Sequence, residues 1–283
     1  MEATQVLSPL NLREDDAMQV EGFEEALPLE MIFQILLRCD HVGALKASRV
    51  CKSWQALSTD SSTAQDIWKN IFYKELVFAG EREWGELGYK VTLPERDYRQ
   101  VTLEALKWAH DKWPKNWDRK MMFFCPKEIV SLATGVAAPA SPVKIGAVIG
   151  PLLGPDCNAT GYRYFWPKAL QAHGGKTLQE SCWVYMTPDV IPDSTWKDYG
   201  TQCDMAKAFG GGVTDLPSVV TGTLLKDYAT GKRLFSDIFT LCQESIGRVQ
   251  LVVESFAPSG LRVNHDLSFF DIVKRGVVVV RKF

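Results

Sequence analysis

The sequence predicts a multidomain α+β protein, with an N-terminal all-α module and linker helices ahead of a C-terminal mixed α/β domain. Three observations predict it. Residues 27–57 carry short apolar stripes at helical spacing. Helical patterns continue to about residue 110. From Arg119 onward strand-like runs alternate with helical ones in mixed order. The 283 residues suit two domains, at roughly 100–200 residues each. The expected layout is an acidic leader over 1–25, a helical module over 26–76, a helical linker over 77–118 and a mixed α/β domain over 119–283.

The leader sets Glu14, Asp15, Asp16, Glu21, Glu24 and Glu25 against Arg13 alone and shows no apolar period, which suits a solvated segment. The helical module then begins. Leu29, Ile32, Phe33, Leu36 and Leu37 recur at three and four residues and lay a stripe along a short helix. Pro28 stands where a fixed φ suits a first turn. Asp40, an N-cap type of residue, opens a second segment with Leu45, Ala47 and Ser48. Val50, Trp54 and Leu57 form a third stripe. Helices this short depend on tertiary packing. Three small stripes therefore imply a docking surface as well as a core.

These letters resemble the F-box, the adaptor-binding module of SCF-type ubiquitin ligases. The family pattern has an LP-x-E start, apolar pairs in its first helix, a Leu-x-x-Ala/Ser-x-Val-Cys-basic-x-Trp middle and a closing Leu. Those positions here read Leu27, Pro28, Glu30, Ile32, Ile35 and Leu36, then Leu45, Ser48, Val50, Cys51, Lys52, Trp54 and Leu57. The resemblance implies docking on a SKP-family adaptor and, through it, on a cullin. It assigns the docking surface to Leu27, Pro28, Ile32, Ile35, Leu36, Leu45, Val50, Cys51, Trp54 and Leu57.

A fourth helix is expected over 64–76, with Ile67, Trp68, Ile71 and Phe72 on one face and Thr63 and Asp66 placed to cap it. Residues 80–94 read as loop, and 97–110 as a helix facing inward through Val101, Ala105, Leu106, Trp108 and Ala109. The stretch KWPKNWDRK (112–120) interleaves bases with Trp113 and Trp117. Such interleaving occurs in single-strand binders, but one cluster without a wider basic surface fits a connector whose tryptophans pack on neighbours. Further on, strands are expected at 183–186, 249–254 and 277–280, the last a central, covered one because VVVV is apolar on both faces. A helix is expected over 215–228, stopped by Gly231.

Composition narrows the function classes. Hydrophobic content of 46% and charged content of 23% are ordinary for a globular chain, and a net charge of −2 speaks against broad nucleic-acid binding. The 7 cysteines are scattered without a C-x-x-C pair. That favours reduced thiols in the cytoplasm over a disulfide framework or a zinc site, and so speaks against the Asn158 glycosylation sequon being used. No apolar run reaches the ~18 residues of a membrane span, no signal-peptide pattern opens the chain, and no repeat marks a leucine-rich or propeller array. No metal, cofactor, membrane or nucleic-acid partner is expected.

Chemical motifs in the second half fall short of their requirements. Gly174-Gly175-Lys176-Thr177 looks like the end of a phosphate-binding loop, but Leu170 stands where the motif needs glycine, after a helical stretch. A helix-ending Gly pair accounts for the letters. Gly210-Gly211-Gly212 lacks the strand–turn–helix setting of dinucleotide binding. A cysteine nucleophile would need a nearby histidine. Cys125, Cys157, Cys182, Cys203 and Cys242, with His173 and His265, offer no flanking signature, and no catalytic residue is assigned.

WVYMTPDVIPDST (183–195), GKRLFSD (231–237), CQE (242–244), LVVESFAPSGLRV (251–263) and VVRKF (279–283) resemble a C-terminal domain of the expanded F-box families of environmental Chlamydiae. That resemblance implies a bacterial effector working in the host cytosol, where the F-box recruits the ligase and the C-terminal domain presents a target protein. An F-box-tethered enzyme and an adaptor-binding scaffold outside any ligase stay open as alternatives.

Overall fold

The computed structural model describes residues 34–36, 38–47, 62–235, 239–265 and 275–283. The chain divides into two compact units, Met1–Phe72 and Tyr73–Phe283.

In the first unit residues 34–36 and 38 are helical, followed by α1 (His41–Ala47) and α2 (Ser62–Glu75), which runs on past the division. Asp40 starts α1 as its letter suggests: Oδ1 accepts from the backbone N–H of Gly43 at 2.7 Å and satisfies a donor that the first turn leaves free. Ala64, Ile67, Trp68, Ile71 and Phe72 are buried, and their spacing is the 3-and-4 repeat of one helix face. The helix begins at Ser62, so Thr63 lies within its first turn rather than ahead of it.

The second unit opens with β1 (Val77–Ala79), α3 (Glu81–Glu86), β2 (Tyr89–Lys90) and α4 (Tyr98–Lys112). Residues 77–118, expected as a helical linker, thus belong to the body of this unit, because β1 pairs in parallel with β3 (Met122–Cys125). Residues 80–94, expected as loop, hold α3 and β2. The signal was short: α3 spans 6 residues and is anchored by one fully buried side chain, Trp84, whose indole N–H donates to the Phe124 carbonyl at 3.1 Å.

Three sheets follow. The first has the order β1-β3-β7-β13-β8, with β7 at Cys182–Met186, β8 at Gly212–Val213 and β13 at Val279–Lys282. The second has the order β12-β9-β10-β11-β6, built from β6 (Tyr162–Phe165), β9 (Phe239–Ile246), β10 (Val249–Ala257), β11 (Gly260–His265) and β12 (Arg275–Gly276). A small antiparallel sheet joins β2 to β4 (Glu128–Ser131) and β5 (Ala137–Pro139). The helices α5 (Pro142–Ile149), α6 (Pro167–His173) and α7 (Tyr199–Phe209) connect them.

The core centres on α8 (Leu216–Thr230), which packs on β1 and β3 of the first sheet and on β9 and β10 of the second. Every residue from 216 to 227 is buried. The expected single stripe of Leu216, Val219, Val220, Leu224 and Leu225 faces inward, and Thr221, Gly222 and Thr223 on the remaining faces are buried too. A helix covered on all sides needs small or apolar residues all round, and these supply them. Gly231 ends α8 in the left-handed conformation at φ 65°, as its position beyond the stripe predicts.

The valine run 277–280 is buried throughout, yet it serves two sheets. Arg275–Gly276 pairs with β9 in the second, and Val279–Lys282 lies between β7 and β8 in the first. Val277 and Val278 make the crossing, their backbone held by Ile191, Thr214 and Thr240.

Candidate functional site

The sequence places one site in residues 27–57, of which three residues on the docking list are described. Leu36 is fully buried, Leu45 is half-buried and Ile35 is exposed. Val42 on α1 is exposed as well. Leu36 is thus turned inward, while Ile35 and Val42 lie at the surface. Leu27, Pro28, Ile32, Val50, Cys51, Trp54 and Leu57 lie outside the described residues.

A second site emerges in the C-terminal unit, at the N-terminal end of α8. A cleft of about 530 Å³ is lined from five separated stretches: Arg96; residues 176–180 with Cys182; Asp215 and Pro217; Gln243 and Glu244; and Lys282 with Phe283. Asp215 is the N-cap of α8. Its Oδ1 accepts from the Ser218 backbone N–H at 2.9 Å, and its Oδ2 accepts from the Ser218 hydroxyl at 3.0 Å and meets Lys282 Nζ at 2.6 Å. Burial disfavours the Lys282 ammonium, but Asp215 beside it outweighs this and leaves the lysine pKa above its ordinary value.

Glu244 reaches the same helix end from β9, where Oε2 accepts from the Leu216 backbone N–H at 2.8 Å. Burial pushes this carboxyl up to about 7, with the negative charge of Asp215 adding to the effect; the Leu216 hydrogen bond and Lys176 work against it. Two carboxylates therefore share one helix end, one of them near half-protonation at neutral pH. Perturbed carboxyls in a cleft mark candidate sites for binding or proton transfer. Arg96 and Lys176 on the rim are exposed.

The buried cysteines carry no activated thiolate for catalysis at neutral pH. Burial raises Cys182 to about 11 and lifts Cys125 and Cys242 well above the thiol range, so little thiolate exists at neutral pH. Neither candidate histidine lines the cleft. His173 Nε2 lies 3.2 Å from the Ser245 carbonyl, and the His265 ring sits 4.4 Å from Trp166. Among the described residues, no group of three or more His, Cys, Asp or Glu could hold a metal ion, and no helix is long and apolar enough to cross a membrane.

The glycine stretches take ordinary places. Gly174 caps the C-terminus of α6, and Gly210 ends α7 at φ 98° before β8 begins. In 112–120, Trp113 is buried and stacks on Tyr185 at 4.8 Å, while Trp117 packs on Trp113 and Phe209. These rings serve the core. Sequence reasoning missed Asp215, Glu244 and Lys282 as a group. The one legible signal was Asp215 immediately before a helical run, which marks a cap but not a cleft.

Comparison with known families bears on the first site. Residues 25–64 match the F-box domain. An F-box points to binding of a SKP-family adaptor in SCF complexes, and such domains are adaptor modules rather than catalysts. No curated protein and no solved structure matches the chain.

Proposed function

We propose that this chain is a substrate receptor of a cullin–RING ubiquitin ligase. The F-box match over 25–64 carries the reading. The N-terminal helices dock on the SKP-family adaptor and through it on the cullin, and the unit from Tyr73 onward presents a target protein. The mechanism is proximity: an acceptor lysine held beside the ubiquitin-charged enzyme gains effective concentration without chemistry by this chain. In this reading the protein is a bacterial effector in the cytosol of a eukaryotic host, as the resemblance of its C-terminal stretches implies. Surface-exposed Ile35 and Val42 on the short N-terminal helices support the docking role.

A pull-down from eukaryotic lysate tests it, using the full chain and the Leu27→Ala/Pro28→Ala double variant with readout by mass spectrometry. Adaptor and cullin recovered with wild type alone support the receptor role. Adaptor without cullin turns the reading towards a scaffold outside the ligase, and recovery of neither overturns it.

A second reading rests on the cleft. A carboxyl with a pKa of about 7 beside the Asp215–Lys282 pair is the kind of group an F-box-tethered enzyme would use for proton transfer.

A further inference from the structure

Strands β3 and β7 pair antiparallel in a register that sets Cys125 directly opposite Cys182. Backbone hydrogen bonds identify the kind of pair. Trp183 turns both its N–H and its C=O to Phe283 on the β13 side, at 3.0 and 2.9 Å. Alternate residues of a strand face alternate neighbours, so Cys182 turns its own groups to β3. Met186, two steps further along the same alternation, donates to the Met121 carbonyl. Cys125 and Cys182 therefore form a hydrogen-bonded pair, for which the Cα–Cα separation is about 5.5 Å. A disulfide spans about 5.5–6 Å between Cα atoms and about 3.8 Å between Cβ atoms. Directly opposed Cβ atoms start about 4.5–5.5 Å apart, at the wide end for a hydrogen-bonded pair, so the two strands draw together as the bond forms.

Directly opposed residues also share a sheet face. Here it is the face towards α8, where Cys125 is in hydrogen-bond contact with Thr221. Both thiols are free. Their surroundings differ in one respect: Cys125 is enclosed, whereas Cys182 lines the cleft and has a path to solvent.

We infer that Cys125 and Cys182 are a redox-reactive dithiol, oxidised through the cleft to an intramolecular disulfide that ties β3 to β7. Hydrogen peroxide is the matching oxidant, being small, uncharged and able to enter. The Cys182 sulfur attacks one peroxide oxygen, the O–O bond breaks, and sulfenic acid and water result. The Cys125 sulfur then displaces that hydroxyl, its proton leaving with it as a second water, and the S–S bond forms. Two thiols are oxidised and one peroxide is reduced. Because burial holds Cys182 at about 11, the rate climbs with pH through the range 7 to 10 instead of levelling near the usual thiol value.

The full-length native protein is treated with hydrogen peroxide, alkylated, digested without reduction and mapped by mass spectrometry. The expected result is a linked peptide pair joining Cys125 to Cys182, restored to free thiols by dithiothreitol and lost when the oxidation is run in denaturant. In Cys125→Ser, Cys182 is expected to pass on to sulfinic acid because nothing captures the sulfenic form. Should that variant fail to fold, the wild-type map decides alone. Oxidation confined to the more accessible Cys39, Cys157 and Cys203, or a linked pair that forms equally in the denatured chain, overturns the inference.

Discussion

Burying Glu244 against the end of α8 gives one residue a measurable hold on stability. Its carboxyl titrates near 4.5 when exposed and near 7 when folded. Between those values the folded chain holds a proton that the unfolded chain has released. Unfolding free energy therefore falls as pH rises through this window and stays lower above it. The full shift corresponds to about 3 kcal/mol. Glu244→Gln keeps an oxygen to accept from Leu216 and removes the titration. Denaturant melts at pH 5 and pH 8 should show wild type weakening between them and the variant nearly level; equal slopes would mean that Glu244 ionises freely in the fold. Gly222 is a second residue with a sharp requirement. A Cβ there would lie 2.6 Å from Phe123 Cζ and 3.0 Å from Met186 Cε, so α8 rests on the sheet through a missing side chain. Alanine gains about 1 kcal/mol of helix propensity, but overpacking should cost about 1–3 kcal/mol. Gly222→Ala is thus expected to lower the denaturation midpoint, while Gly85→Ala on α3, with nothing within 4 Å of its Cβ, should leave it level or raise it.

Element by element, legibility followed length and amphipathicity. Helix α8 was readable because Leu216, Val219, Val220, Leu224 and Leu225 repeat over nearly three turns and Gly231 stops the helix. Helix α3 was not, since six residues with one anchoring tryptophan hold too little period to separate from loop. Strands such as β1 and β3 are short and apolar on both faces, a pattern they share with buried helix segments. Pairing is the larger loss. Nothing local says that Cys125 meets Cys182, or that Arg96, Lys176, Asp215, Glu244 and Lys282 line one cleft, because register and crossover are settled by the whole fold. Asp215 shows what one legible cap conceals: besides closing the first turn of α8 it holds Lys282. The two roles separate by substitution. Asp215→Asn keeps a good capping oxygen and loses the ion pair, whereas Asp215→Ala loses both. The alanine variant should be less stable than the asparagine variant by about 1 kcal/mol, and both should fall below wild type. Equal midpoints for the two variants would show that the cap contributes nothing in this setting.

At the scale of the whole molecule, the division at Phe72 and Tyr73 separates the F-box letters from the sheets and the cleft. Tryptophan emission comes chiefly from the second unit, which holds 7 of the 9 tryptophans, with Trp84, Trp108, Trp113 and Trp183 buried there and Trp68 buried in the first. Binding to an adaptor through residues 27–57 and folding of residues 73–283 should then respond to different substitutions. Leu27→Ala with Pro28→Ala removes side chains the F-box resemblance assigns to docking, and truncating central interface residues costs about 2 kcal/mol or more. That weakens binding at least ~30-fold. Calorimetry with a SKP-family adaptor should register this loss, while the denaturation of the second unit, followed by tryptophan fluorescence, keeps its midpoint. Unchanged affinity would remove the docking assignment. A lowered second-unit midpoint would show instead that the N-terminal residues contribute to the stability of the sheets, and would make the double variant a folding probe rather than a binding one. The pair of measurements therefore tells loss of docking from loss of structure within a single variant.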